Sequence, residues 1–402
     1  MRRSATATAT LATVAILLAT PTAQGRHRHV DPPAGTNAVV ALGDSYISGE
    51  AGRWRGNGNT PDGTAYGTDL AAVPSTCNTK ETHCGEYDTA RVYGDTYDPQ
   101  EKVGCNRSVR SEITHVDRVR LKTGAQDIPA ANRYNFACSG ATTDAVVRPG
   151  FKRQNAQIDD LYIEARAHTV RLVALSVGGN DIQFREIVKN CMLGFITPRP
   201  AGWHCNEKTR PQIPERLAAM REAVRGTLKA IRATMARAGY TGDDYRLVLQ
   251  SYPLVIPTGG AFRYAETDYS RYRSGGCPFY DDDATWAHDE LVPALNQTLR
   301  DIAAQESDGP DADVDFLDLR DALAGHEVCA ATVQQSEPGY TLDQPLAPAR
   351  SEWVRFYGGY FRPQGQEQET IHPNALGQQA LGACLRTMAD TPDRVHACPP
   401  PT

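Results

Sequence analysis

Residues 170–177, VRLVALSV, form an apolar run that does not alternate with polar residues. A strand with one wet face alternates, so an unbroken run belongs to a sheet covered on both faces, as parallel sheets between helices are. Residues 38–42, 246–249 and 314–319 read the same way, and 134–138 is a weaker fifth candidate. Helical spacing lies between these runs. In 214–239, Leu217, Met220, Val224, Leu228, Ile231 and Met235 make one stripe, closed by Gly239. Residues 283–305 carry Leu291, Leu295, Leu299 and Ile302 in the same fashion. A last helix is expected from Pro373, a residue suited to a first helical position, to about 389. Strands alternating with helices predict a doubly wound α/β fold.

Two regions break the alternation. Residues 50–132 are rich in Gly, Thr, Asp, Tyr and Arg, and 320–370 contain an aromatic group of Trp353, Phe356, Tyr357, Tyr360 and Phe361. Long irregular stretches in a compact domain are usually functional or pinned by cross-links. They are read as insertions in a single domain over 38–398, followed by a tail at 399–402.

The first residues have the make-up of an export signal. Arg2 and Arg3 precede an apolar run at 11–19, and Ala23, Gln24 and Gly25 form a cleavage site after small residues. A signal peptide over 1–25 and a linker over 26–37 are expected, with a membrane anchor as the alternative reading. No later stretch approaches the ~18 apolar residues of a span, so stable membrane insertion is not expected. The ten cysteines agree with export: their number is even, and no two form a C-x-x-C pair. Disulfides in an oxidising, extracellular setting are favoured over metal or redox chemistry. Connectivity does not follow from spacing. The scheme adopted is sequential: Cys77 with Cys84, Cys105 with Cys138, Cys191 with Cys205, Cys277 with Cys329, and Cys384 with Cys398. A net charge of −6 over 402 residues, with both signs interspersed, gives no footprint for nucleic acid.

Acyl transfer by a hydroxyl needs a nucleophile, a base, and donors where the oxyanion develops. Four stretches offer these parts. Ser45, in LGDSY, follows the strand at 38–42 and enters a helix N-terminus, where backbone N–H groups lack intrahelical partners. Gly140, in ACSGAT, follows 134–138 and lets its N–H approach a ligand. Asn180, in VGGND, follows 170–177 and adds a side-chain amide, and His372, in IHPNALG, precedes the last helix. Singly, each is as readily a turn or a cap. Jointly, three of the four stand beyond the carboxyl ends of parallel strands, where open α/β sheets place their sites. Asp44 is read mainly as fixing its turn, and Asp181 as a helix cap.

This ordered set, GDS, SGAT, GGND and HPN-x-x-G, resembles the GDSL or SGNH hydrolases, in particular the secreted actinobacterial esterases, lipases and phospholipases. The resemblance spans 38–382 and implies a flavodoxin-like three-layer α/β/α fold with a central, mainly parallel sheet. CNRS at Cys105 and the cysteine of ACSGATT resemble the first disulfide of that subgroup. Ser45 would be the nucleophile of a carboxylic ester hydrolase, with an oxyanion hole from Ser45, Gly140 and Asn180 and with His372 as base. The substrate would be a small-molecule or lipid ester, and no cofactor or metal is implied. The family's Asp three residues before the His is here Glu369. Either Glu369 orients the imidazole, or a backbone carbonyl of 355–370 does.

Other readings remain open at this point. Ala174 to Gly178 is a near miss to a G-x-S-x-G elbow, with Ser176 as nucleophile, Asp318 as acid and His372 last. A secreted carbohydrate- or wall-binding protein without catalysis is a third reading. His83 and His204 adjoin cysteines but lack zinc-ligand spacing. Trp353 and Phe356 are read as walls of a substrate pocket, with packing of the insertion as the alternative.

Overall fold

Among the described residues the chain forms eight strands: β1 (Asn37–Gly43), β2 (Arg118–Leu121), β3 (Gly124–Asp127), β4 (Arg133–Asn135), β5 (Thr169–Ser176), β6 (Arg246–Gln250), β7 (Val314–Asp318) and β8 (Val395–Ala397). The computed structural model describes residues 32–58, 65–78, 84–94, 104–267, 269–307, 313–358 and 367–401, all within one unit, Asp31–Thr402. The expected signal peptide, Tyr360, Phe361 and His83 lie outside the described residues. β2 and β3 pair as an antiparallel hairpin. The other six strands form one sheet in the order β4-β1-β5-β6-β7-β8, every pairing parallel.

The unbroken apolar runs are buried as their lack of alternation requires. Ala38 to Leu42 and Leu172 to Leu175 are fully buried, so both faces of the sheet centre are covered. The helices that matter below are α1 (Ser45–Ser48), α2 (Thr143–Val147), α3 (Gln157–Ala167), α4 (Phe184–Ile196), α5 (Ile213–Arg237), α6 (Val292–Gln305) and α7 (Ala375–Asp390). α5 buries Met220, Val224, Leu228, Ile231 and Met235, the stripe read from the sequence, and Leu217 packs at its edge. α5 packs against α2, α3 and α6, whereas α7 packs against β2 and the 3-10 turn Glu112–His115.

Three boundaries differ from the expectation: the strand expected at 134–138 is β4, which ends at Asn135, and two helices begin elsewhere. The helix expected over 283–305 is interrupted by a wider turn at Ala287–Leu291, between a helix at Asp281–Trp286 and α6. That turn sits just before Pro293, which has no N–H to give it. α7 begins at Ala375, not at Pro373, because Asn374 caps it by accepting from the N–H groups of Leu376 and Gly377. α4, the β2–β3 hairpin and β8 are additions. The cysteines are joined in five pairs, Cys77–Cys84, Cys105–Cys138, Cys191–Cys205, Cys277–Cys329 and Cys384–Cys398.

The sheet order places the site. The chain leaves β1, makes the first insertion, and enters β4 on one side of β1. It then crosses to β5 on the other side. The carboxyl end of β1 is therefore the switch point, flanked by the loops that follow β4 and β5. Gly43 ends β1 at φ +128°, and a Cβ there would meet the Ser176 carbonyl oxygen at 1.9 Å. The Gln157 side chain brackets the same peptide, accepting from Gly43 N–H at 2.6 Å and donating to its carbonyl at 2.8 Å. Gly43→Ala should therefore lower the unfolding free energy by about 3 kcal/mol, as overpacking and left-handed strain add. Chemical denaturation checks this, with Gly260→Ala, which meets no atom within 4 Å, as control.

Candidate active site

β1 delivers its chain end into a single turn of helix. Asp44 caps α1 through Tyr46 N–H at 3.1 Å, and Gly49 closes it in the left-handed region. Ser45 is the first helical residue, so its N–H has no intrahelical acceptor. Its Oγ lies 2.7 Å from His372 Nε2.

His372 is held from several sides. Its Nδ1 faces the Thr370 carbonyl at 2.9 Å, which places the proton on Nδ1 and leaves Nε2 to accept. The preceding residue, Ile371, is in the left-handed region at φ 61°, a conformation a β-branched residue adopts only when its surroundings impose it. Those surroundings are visible: Tyr46 Oη donates to the Ile371 carbonyl, and Arg355 pairs with both neighbours, its carbonyl accepting from Ile371 N–H and its N–H donating to the His372 carbonyl. Burial pushes the imidazole down to about 4, against the pull of the Thr370 carbonyl. The ring is nonetheless 17% exposed, open to a cavity and neutral across the ordinary pH range.

Glu369 does not meet the imidazole Nδ1 as one sequence reading had it; the backbone alternative describes the geometry. Its fully buried carboxylate accepts from Trp54 Nε1 at 2.8 Å and from Tyr93 Oη at 2.6 Å. The Arg355 guanidinium stacks 3.5 Å over the Trp54 ring, and burial lowers it to about 9 while Glu369 pulls it up. Glu369 thus ties the histidine loop to the first insertion.

The loops after β4 and β5 reach the same cavity. Gly140, at φ +81°, has an N–H with no partner among the described residues. Asn180 Nδ2 donates to the Ala141 carbonyl at 2.9 Å, which uses one of its two hydrogens. Asp181 does not cap the helix that follows it; it accepts from Thr143 N–H and Oγ1 across the gap, joining the two donor loops. Asp44 does more than fix its own turn. Tyr252 Oη donates to Asp44 at 2.5 Å and accepts from Gly179 N–H at 2.9 Å, a relay between the serine turn and the asparagine turn. Burial raises the Asp44 carboxyl to about 7, against the lowering by Tyr252.

These parts line one cavity of 420 Å³, within the range of small-molecule sites. Its apolar wall comes from Val188, Met192, Leu193 and Ile196 of α4 and from Val292 and Leu295 of α6. Val188, Met192 and Ile196 of α4 recur every four residues, a helical signal absent from the expectations above. Trp353 and Phe356 are not in this wall. Trp353 stacks on His326 at 3.7 Å, Phe356 is fully buried, and among the described residues of that aromatic group Tyr357 reaches the cavity. Ser176 is buried in β5, and Asp318 is held by Ser251 and Arg300. Cys191 and Cys205 lie near Asp283, but the two sulfurs are bonded to each other.

The sequence model of the GDSL-like lipase/acylhydrolase family matches residues 39–385. The chain belongs to that family. Among solved structures, this GDSL hydrolase is similar to the extracellular lipase from Streptomyces rimosus, at 19% identity over 89% of this chain and 100% of that one, with a TM-score of 0.42. Phospholipase A1 from Streptomyces albidoflavus NA297 aligns at 18% identity over 89% and 100% of the two chains, TM-score 0.46. Est24, a carbohydrate acetylesterase from Sinorhizobium meliloti, aligns at 11% over 88% and 97%, TM-score 0.32. No curated protein matches the chain.

Glu369→Gln in this hydrolase should act on stability first. Removing one charge from a buried ionic network costs about 3 kcal/mol. In the temperature range where the variant is folded, kcat should stay within about threefold, rather than fall by the ~10⁴ of a lost orienting carboxylate. Thermal denaturation and initial rates on the same preparation separate the two effects.

Proposed function

We propose that the protein is a serine hydrolase of carboxylic esters that works through a Ser45–His372 dyad. The observation that carries this is the 2.7 Å contact between Ser45 Oγ and an imidazole whose other nitrogen is occupied by a carbonyl. His372 Nε2 takes the Ser45 proton as Oγ bonds to the acyl carbon, then returns it to the leaving alcohol oxygen. Ser45 N–H, Gly140 N–H and the free amide hydrogen of Asn180 receive the oxyanion. Water then repeats the sequence on the acyl-enzyme, with His372 again as base. The apolar wall of α4 and α6 suits the acyl chain of a lipid or a longer-chain ester. Five disulfides and the export-type composition of 1–25 support secretion.

Ser45→Ala should abolish both p-nitrophenyl ester hydrolysis and labelling by a fluorophosphonate; a variant that kept both would overturn the reading. Asn180→Ala should stay folded and lose about 10²–10³ in kcat, the usual cost of one oxyanion donor. Because His372 must be unprotonated to act, the acid limb of kcat/KM should fall near pH 4, well below the 6.5 of a free imidazole. Met192→Trp, which fills the apolar wall, should raise KM for long-chain esters while leaving acetyl esters little changed. A chain-length series on the purified protein measures this.

A further inference from the structure

Glu50 has no part in the mechanism above, although it lines the same cavity and is buried. It follows α1 directly, its N–H bonding the Ser45 carbonyl at 3.2 Å. Its Oε2 is 4.0 Å from His372 Nε2 and accepts from Ser139 Oγ; its Oε1 accepts from Asn106 Nδ2 at 2.8 Å. Both oxygens thus have donors in place, so the ionised carboxylate is satisfied when it forms.

Transfer of the Ser45 proton turns His372 into a largely buried imidazolium. In a triad, a carboxylate at Nδ1 offsets that charge. Here Nδ1 faces the neutral Thr370 carbonyl, and the Glu369 carboxylate is engaged with Trp54 and Tyr93. We propose that Glu50 is the positioning carboxylate of this site, its charge beside Nε2 stabilising the imidazolium formed when Ser45 is acylated. Glu50 exchanges no proton in the step: the Oγ–H bond breaks, Nε2–H and Oγ–C bonds form, and the leaving oxygen later takes the proton. The inference rests on the Ser45–His372 reading and adds the charge that reading lacks.

The charge on Glu50 is conditional. Burial raises its carboxyl to about 8, with Glu369 pushing the same way, while Ser139, Lys152 and Asn106 oppose. Tyr93 and His372 also face it. Lys152, whose Nζ donates to the Gly104 carbonyl at 2.6 Å, is the cation acting on it, and Arg185 acts on Lys152 in turn. Since ionised Glu50 is the active form, kcat/KM should rise with pH in a second step centred near pH 8, above the limb set by His372.

The test is the pH profile of kcat/KM on a soluble ester for the wild type, Glu50→Gln, Lys152→Met and Ser45→Ala. Glu50→Gln should lose the step near pH 8 and fall by a factor of about 10 or more at pH 9, with a smaller loss at pH 6. Lys152→Met, which leaves Glu50 in place, should move the step to higher pH. A Glu50→Gln protein that keeps the step, or a Lys152→Met protein whose step does not move, overturns the proposal. If Glu50→Gln does not fold, Lys152→Met decides alone. An active Ser45→Ala would instead remove the dyad reading itself, and the role of Glu50 with it.

Discussion

The peptide at Gly43 is the point on which the site depends. Its neighbours leave no room for a side chain: the Ser176 carbonyl occupies the Cβ position, and Gln157 holds both the N–H and the C=O. The Ser176 carbonyl then accepts from Asp44 N–H, while the Gly43 carbonyl accepts from Cys138 N–H. The three loops that carry Ser45, Gly140 and Asn180 thus leave the sheet from one bonded cluster. Because β1 lies between β4 and β5, no loop needs to be long to bring its donor to the serine.

Around that cluster, buried and half-buried carboxylates act as acceptors that join segments distant in sequence. Asp44 takes Tyr252, which also takes Gly179 N–H; Asp181 takes Thr143; Glu369 takes Trp54 and Tyr93; Glu50 takes Ser139 and Asn106. Each would be costly alone in a low-dielectric interior, and each is satisfied by donors from another loop. The two insertions are joined the same way. Asn57 donates to the Glu352 carboxylate and to the Val354 carbonyl, while the Glu352 carboxylate also receives Arg263 and Cys329 N–H. The insertions therefore brace the histidine loop.

Much of the fold was legible because buried parallel strands and amphipathic helices write their periods into the chain. β1, β5, β6, β7 and the stripe of α5 are local patterns of apolar residues, and they lie where those patterns put them. β8 was not legible: three residues, VHA, carry no period, and their pairing with β7 depends on where α7 ends. The wider turn before Pro293 and the capping of α7 by Asn374 are matters of individual hydrogen bonds, which a hydrophobic pattern does not report.

The site divides along the same line. Ser45, Gly140, Asn180 and His372 are singled out in the sequence because each follows a readable strand or precedes a readable helix. The partner of Nδ1 is not readable, since a backbone carbonyl leaves no residue type to recognise, and the Glu at 369 pointed to a carboxylate that faces elsewhere. Glu50 and Tyr252 gain their place only when chain segments far apart are folded together. Local periodicity and composition specify most of the sheet, its strand ends and the chemical groups on them. Which atoms face the imidazole and which side chains wall the cavity emerge only in the folded molecule, because they depend on directions of side chains brought together from distant loops.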